Sequence, residues 1–430
     1  MAGFPKILVV SADPFNRTSG TGITISNIFK GWDKDRIANV YIHDVPRSDE
    51  VCDKYYRLSK WAFFFNYCLK WLMVLFQLRK VKIVQTTVPL KKSERTFKNI
   101  MFLNFKAGFD LSPMFVSKSF WKWVQEYDPD IIYSMLGNGR MIKFSNSIAA
   151  RTKKPVLPHF MDDWPECIYI QNEWGGYARK MFDKMFKQVI AYSKGGLCIS
   201  DQMTEEYIKR YKIPFATILN CVEEEFFIQP EERTSAKQPT VFLYVGGLHL
   251  NRWMSLLEIA EAIDEINQEG QQVQLHIYCP EKDRNQFADK FNNNKSVSFK
   301  GSVSSTQVPE VLSQASVLIH VESFEENVVL FTKYSISTKI PQYMAAGKPI
   351  LAYGPGELAS VQHVVNAHAG YAVTSKDKAE LKKKILTLSA NPELRFSCAN
   401  NGYQFAKANH SQSKTLKTLQ KVAQEYANSH

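Results

Sequence analysis

The 430 residues contain no CxxC pair and no Cys/His cluster with metal-ligand spacing. Seven cysteines (52, 68, 167, 198, 221, 279 and 398) are scattered and odd in number. A disulfide scaffold and a zinc module are thereby excluded, and free thiols in a reducing cytosol are the simplest account. The apolar run in the opening "MAGFPKILVVSADPF" is too short for a secretory signal and reads as a first β-strand. Internal repeats and low-complexity tracts are absent. Acidic charge is scarce in one half only. Residues 1–220 carry 33 Lys/Arg against 20 Asp/Glu, and residues 221–430 carry 21 against 22, which together give the net charge of +12. The basic excess therefore belongs to the N-terminal half. It suits an anionic membrane surface or a phosphorylated substrate; no nucleic-acid-binding module accompanies it, which argues against nucleic acid.

What is present is an alternation of short strand-like runs and helical stretches. "KILVV", "DIIYSML", "PVLPHFM" and "GGLCIS" occur in the first half; "TVFLYVGG", "VQLHIYC", "SVSFKG", "SVLIHV" and "PILAYG" occur in the second. Such a rhythm predicts an α/β protein with parallel sheets of Rossmann type, and two sets of it predict two domains. A polar, proline-containing stretch at 224–239 reads as the linker. The predicted organisation is an N-terminal Rossmann-like domain over 1–223, a C-terminal one over 240–405, and a final helical segment, 406–430, packing back on the N-terminal domain.

One segment departs from the pattern: "SKWAFFFNYCLKWLMVLFQL", residues 59–78. On a helix its polar residues Ser59, Asn66, Lys70 and Gln77 fall within about 40° of one another, and the rest of the wheel is apolar or aromatic. A lysine inside the segment argues against a transmembrane span. Basic residues Arg57, Lys60, Arg79, Lys80 and Lys82 flank it. Segment 57–82 thus predicts a helix lying in the interface of an anionic membrane, with Phe64, Trp71 and Leu75 in contact with lipid. The alternative is a helix buried under the N-terminal sheet.

Ligands of open α/β sheets bind beyond the carboxyl ends of strands. After the first strand, Gly20 and Gly22 permit close approach to a bound anion, or simply form a turn. After "PVLPHF", the pair Asp162 and Asp163 supplies candidate bases or sugar contacts; the alternative is a capping role for the next turn. After "TVFLYVGG", Arg252 sits where a loop enters a helix, placed to clamp a phosphate. In "SISTKIPQYMAAGKPILAYGPG", Ser335, Ser337, Thr338 and Lys339 precede a helix expected from about Pro341, and together suggest a diphosphate cradle.

Taken in order, "LYVGGLHLNRWMSLLEIAEAI", "CISDQMTEEYIKRYKIPFATILNCVEEEFF", "ASVLIHVESFEE" and "SISTKIPQYMAAGKPILAYGPGELASV" resemble the B-type-fold glycosyltransferases, the large group 1 family that builds many bacterial polysaccharides. The resemblance spans most of residues 4–405. It implies two Rossmann-like domains facing a cleft, a nucleotide-sugar donor on the C-terminal domain and an acceptor on the N-terminal one. Many members carry Arg and Lys where this chain has Gly247 and Arg252, so Lys339 becomes the candidate for the missing charge. Many also carry two glutamates eight positions apart, where this chain has Tyr334 and Gln342. Gln342 takes the ribose position, and Glu322 and Glu325 become candidates for the donor-sugar contact.

The resulting expectation is a cytoplasmic glycosyltransferase, peripheral to the inner membrane. It moves a sugar from a nucleoside diphosphate to a lipid-linked or polysaccharide acceptor during surface polysaccharide synthesis. The resemblance leans towards retention of configuration; no cofactor or metal is expected, the nucleotide sugar being substrate. Expected catalytic residues are Asp162, Asp163 and Glu322; expected donor contacts are Gly22, Gly247, Arg252, Ser337, Thr338, Lys339 and Gln342. The alternatives are a non-catalytic membrane assembly protein and a sugar-nucleotide epimerase on the same fold.

Overall fold

The strand-like runs read from the sequence are strands, and they form two separate parallel sheets in the computed structural model, which describes residues 4–75, 104–105, 107–169, 177–231 and 239–428. The first sheet contains β1 (Ile7–Val10), β2 (Ile37–Tyr41), β3 (Lys54–Arg57), β4 (Ile131–Ser134), β5 (Val156–Phe160), β6 (Gly196–Cys198) and β7 (Phe215–Thr217). Their spatial order is β3-β2-β1-β4-β5-β6-β7, so the connection direction reverses between β1 and β4. Strands β1, β2, β4, β5 and β6 are buried throughout, and β1, β4, β5 and β6 accordingly read as near-continuous apolar runs. The α-helices of this unit include α1 (Gly20–Phe29), α2 (Phe64–Leu75), α3 (Lys118–Tyr127), α4 (Gly139–Thr152), α5 (Trp164–Cys167), α6 (Tyr177–Ala191) and α7 (Asp201–Tyr211).

The second sheet contains β8 (Thr240–Val245), β9 (Val273–Tyr278), β10 (Val297–Gly301), β11 (Val317–Val321), β12 (Ile350–Tyr353) and β13 (Gly370–Val373), in the order β10-β9-β8-β11-β12-β13. Its reversal point lies between β8 and β11. The α-helices that follow in the chain are α8 (Arg252–Gln268), α9 (Glu281–Phe287), α10 (Val308–Ser313), α11 (Glu326–Thr332), α12 (Lys339–Ala345), α13 (Ala359–Asn366), α14 (Lys378–Ala390), α15 (Pro392–Asn409) and α16 (Gln412–Asn428), the last belonging mostly to the first unit. In α8 the residues Leu256, Ile259, Ala260, Ile263 and Ile266 recur at helical spacing and pack into one core cluster with Phe242, Leu275 and Ile319 of the strands.

The chain divides into two units, one of residues 1–218 with 416–430, the other of 219–415. The last helix contributes Leu419, Val422, Ala423 and Tyr426 to the same core cluster as Ile7, Val9 and Tyr133 of the first sheet. Of the stretch read as a linker, 224–239, residues 232–238 lie outside the described residues.

Four strands were not anticipated: β2, β3, β7 and β13. β3 is a half-exposed edge without an apolar run, and β7 has only three residues. In β2 a fully buried asparagine breaks the pattern; the Asn39 amide donates to the Val9 carbonyl at 3.0 Å and to Ser11 Oγ at 2.9 Å. The amide nitrogen is thus satisfied within the sheet, while the buried Oδ1 has no hydrogen-bond partner.

Candidate active site

The carboxyl ends of β8 and β11, on either side of the reversal point of the second sheet, bring together the strongest charge constellation of that unit. Ligand crevices of open α/β sheets form at such points because the two flanking connections leave in opposite directions. Arg252 opens α8, and Glu322 follows β11. Arg252 Nη2 donates to both carboxylate oxygens of Glu322 at 3.2 Å each. The two side chains are nearly buried, at 12% and 4% exposure. Burial is the largest single influence on the Glu322 carboxyl and pushes it up, but Arg252, by charge and hydrogen bond, together with His320 and Lys339 outweighs it and holds the group below its ordinary range. His320 Nε2 lies 3.3 Å from Glu322 Oε1, and burial drives the His320 imidazole down to about 4. Ser255 Oγ donates to the Glu322 carbonyl at 2.7 Å, which fastens the first turn of α8 to the end of β11.

Lys339 comes to the same place from α12. Its Nζ donates to Tyr244 Oη at 2.8 Å and lies 4.3 Å from the centre of that ring. The Tyr244 hydroxyl in turn donates to the Gly247 carbonyl at 2.6 Å. Gly246 has φ +148°, and a Cβ there would lie 2.2 Å from Lys339 Cε and Nζ, so only glycine leaves room for the lysine stem. Burial, with the charge of Arg252 added, pulls the Lys339 amine well below its ordinary value. The Tyr343 hydroxyl bonds both the amide and the carbonyl of Val245 at 3.2 Å and so ties α12 to the end of β8. A site with a guanidinium, a buried amine able to take up a proton and one internally held carboxylate is suited to a ligand carrying concentrated negative charge.

The loop between β8 and α8 is backbone-strained. Leu250 and Asn251 are both left-handed, at φ 56° and 60°, and neither is glycine. This turn aims His249 at Arg252, with Nε2 3.4 Å from Nη1.

The other expected donor residues are placed as follows. The helix after "SIST" begins at Lys339, two residues earlier than expected, and has only seven residues. Thr338 takes its N-cap position without a side-chain cap bond, and Ser337 Oγ accepts weakly from the Lys339 amide at 3.5 Å. Gln342 lies half-buried in the next part of the helix. Gly247 turns its open side to the His249 ring. Gly22 lies in the first unit, and its glycine character has a packing reason: a Cβ would meet the Asn16 amide at 2.3–2.5 Å.

The carboxylate pair also belongs to the first unit. Asp163 is buried, and its oxygens accept from Arg210 Nη1 at 2.8 Å, Arg210 Nη2 at 3.1 Å and the Tyr207 hydroxyl at 2.8 Å. It precedes α5 but makes no side-chain cap bond. Asp162 is half-buried beside it.

In the segment 59–78, a short 3-10 turn (Lys60–Phe63) precedes α2, and residues 76–78 lie outside the described residues, as do Arg79, Lys80 and Lys82. Of its polar residues Asn66 faces the protein, its Nδ2 donating to the buried Asp110 carboxylate at 3.2 Å, and Ser59 is exposed. Ala62, Phe63 and Leu69 are buried. Trp61, Phe64, Tyr67 and Trp71 are exposed, at 67%, 38%, 55% and 59%. No side-chain environment is described for Leu75.

Reasoning from the sequence missed Tyr244, His249, Ser255, His320 and Tyr343. All five sit within or beside the quoted motifs; only His249, in "GGLHLNR", combined a titratable group with a glycine turn, and that was the available signal. Among the described residues no group of three His, Cys, Asp or Glu side chains is placed to hold a metal ion.

Comparison with known proteins agrees with the architecture. Residues 239–391 match the family model for glycosyl transferases group 1. No curated protein sequence matches. Among solved structures, sucrose-phosphate synthase from Thermosynechococcus elongatus superposes with a TM-score of 0.65 at 13% identity, covering 99% of this chain and all of that one. HepE from Anabaena in complex with UDP gives 0.62 at 14% identity, over 98% and 100% of the two chains. The lipopolysaccharide outer core galactosyltransferase WaaB gives 0.55 at 14% identity, over 96% and 98%. The matched segment lies within the second unit, and the chain as a whole has the B-type glycosyltransferase fold, as the resemblance implied.

Proposed function

We propose that this protein is a glycosyltransferase that takes a sugar from a nucleoside diphosphate and passes it to a lipid-linked or polysaccharide acceptor in bacterial surface polysaccharide synthesis. The observation that carries the reading is the Arg252–Glu322–Lys339 constellation at the reversal point of the second sheet, inside the segment that matches the family. Cleaving the bond from sugar to diphosphate places growing negative charge on the leaving group, and fixed cations stabilise that charge without covalent chemistry. Arg252 and Lys339 supply those cations in this proposal, with no metal and with retention of configuration. Gln342 contacts the ribose and Glu322 faces the transferred sugar; Asp162, in the first unit, is the candidate base. HepE has been solved in complex with UDP and with UDP-glucose, which favours a nucleotide-sugar donor here as well.

The same proposal holds the protein at the inner face of the membrane. Four exposed aromatics lie at helical spacing on and beside α2, while Asn66 turns inward to Asp110. That inverts the usual surface helix and suits headgroup depth in a bilayer. No helix among the described residues is long and apolar enough to cross a membrane.

A screen of nucleotide sugars by thermal shift, followed by a diphosphate-release assay with the hit, tests the reaction. A donor that binds the folded chain raises its melting temperature. Binding without release, with or without membrane extract as acceptor, would instead favour the non-catalytic assembly protein.

A further inference from the structure

Gly247 leaves a gap on the wall of the candidate site, and a neighbouring side chain has filled it. A Cβ at position 247 would lie 2.5 Å from His249 Nδ1 and 2.8 Å from Cε1. The ring therefore lies where any side chain of residue 247 would have to begin. The two consecutive left-handed residues that follow, Leu250 and Asn251, reverse the chain so that the ring turns back over the glycine pair. Its Nε2 is 3.4 Å from Arg252 Nη1, and its outer edge is open to solvent. Left-handed backbone at a leucine is disfavoured, and persists where the surrounding structure holds it; such strain clusters at ligand sites.

We propose that His249 is a third phosphate contact of the donor site, beside Arg252 and Lys339, and that its ring takes a proton from solvent when the nucleoside diphosphate binds. The proposal rests on the donor-site reading above. The groups facing the ring are Arg252 from α8, Lys339 from α12, Asp283 from α9 and Glu322 from the end of β11. Burial of its inner side and the two cations push the imidazole below its ordinary value, against the smaller opposing effect of the carboxylates. Both carboxylates are held: Glu322 by Arg252, and Asp283 by the Leu248 amide at 2.7 Å. In the free site the ring is therefore neutral near pH 7. A diphosphate against the same edge adds at least two negative charges within contact distance and reverses the balance in favour of imidazolium. The second ring N–H then becomes a charge-assisted donor to a phosphate oxygen.

Linkage fixes the sign. The pKa of the ring is higher in the complex than in the free protein, so diphosphate affinity rises as pH falls between those two values and is flat above the higher one. The experiment is calorimetry with UDP and GDP at pH 8, 7 and 6, each in two buffers of different ionisation enthalpy, on the full chain and on His249→Gln, Lys339→Ala and Arg252→Ala. Melting curves confirm that the variants fold, and because the His249 ring is exposed its removal leaves the core intact. Expected for His249→Gln is about a tenfold loss of affinity at pH 6, a smaller loss at pH 8, and a lower net proton uptake than in the parent. Lys339→Ala controls for protons taken up by the lysine. If His249→Gln binds as the parent does, with the same proton uptake, His249 is not a phosphate contact, while the donor site stands on the loss seen in Arg252→Ala. If neither diphosphate binds the parent, or Arg252→Ala binds it unchanged, the donor-site reading itself falls and takes this proposal with it.

Discussion

Arg252 is placed to serve two masters, the buried Glu322 and an incoming diphosphate, and its replacement separates them. Arg252→Ala leaves a carboxylate at 4% exposure without its principal countercharge. Removing one partner of a buried pair costs about 3–5 kcal/mol, and burial then drives the Glu322 carboxyl up instead of down. We expect a lowered urea midpoint for the second unit together with a ten- to hundred-fold loss of diphosphate affinity, at about 1.5–3 kcal/mol for the charge-assisted contact. Arg252→Met with Glu322→Leu is expected to recover stability and not affinity; recovery of both would deny the pair a role in binding. The Asp162–Asp163 pair makes the converse case. Asp163 accepts three hydrogen bonds from Arg210 and Tyr207, so Asp163→Asn is expected to cost about 1–3 kcal/mol of stability. Asp162→Asn is expected to keep stability and lower turnover more than about a hundred-fold if Asp162 contacts the reacting sugar. Full turnover in Asp162→Asn would leave that residue no catalytic part. From the sequence both aspartates looked alike. What separates them is a partner 47 residues further along the chain, and no local pattern encodes that.

Helix α2 was legible as an unusual segment, and its composition anticipated the aromatic face. Which side that face would take was not legible, because a helical wheel is indifferent to rotation until something fixes it. Here the Asn66–Asp110 hydrogen bond fixes it, with Phe63 and Leu69 inward. Replacing Trp61, Tyr67 and Trp71 together with serine is expected to leave circular dichroism and melting unchanged, since all three rings are more than half exposed. Binding to anionic vesicles is expected to be abolished in the same variant, and in the parent to weaken with added salt, because exposed charges are screened beyond about 10 Å at 0.1 M. An unfolded triple variant, or unchanged co-sedimentation, would remove the membrane assignment. Helix α12 shows the same limit. "STKIPQYMAAG" announced a helix, but the turn where it starts is decided by Lys339 entering the space over Gly246 and by Tyr343 reaching Val245.

At the scale of the molecule, the chain enters the second unit near Asn220 and leaves it near His410, and these two points are joined. His410 Nδ1 donates to the Asn220 carbonyl at 2.7 Å, the Val222 amide donates to the His410 carbonyl at 2.8 Å, and His410 Nε2 meets His363 Nε2 at 2.9 Å. Burial pushes His363 down to about 4 and His410 to about 3. Both are neutral in the fold, while unfolded histidine titrates near 6.5, so the unfolded chain takes up these protons first. Stability is therefore expected to be full above about pH 6.5 and to fall as pH drops from there towards 4. His363→Gln, which keeps a hydrogen-bonding group and cannot titrate, is expected to flatten that fall in urea midpoints; an unchanged pH profile would show that the pair does not govern it. The strand rhythm, the two sheets, the basic first half and the region of Arg252 and Lys339 were determined by the sequence alone, because each is written within a dozen residues as periodicity, glycine turns or charge. Tertiary structure decided the partners: Glu322 for Arg252 across 70 residues, Tyr244 for Lys339 across 95, Asn220 for His410 across 190. Such pairs depend on which strands the topology sets side by side, and a one-dimensional pattern of apolar and polar residues carries the burial of each group but not the identity of the group that meets it.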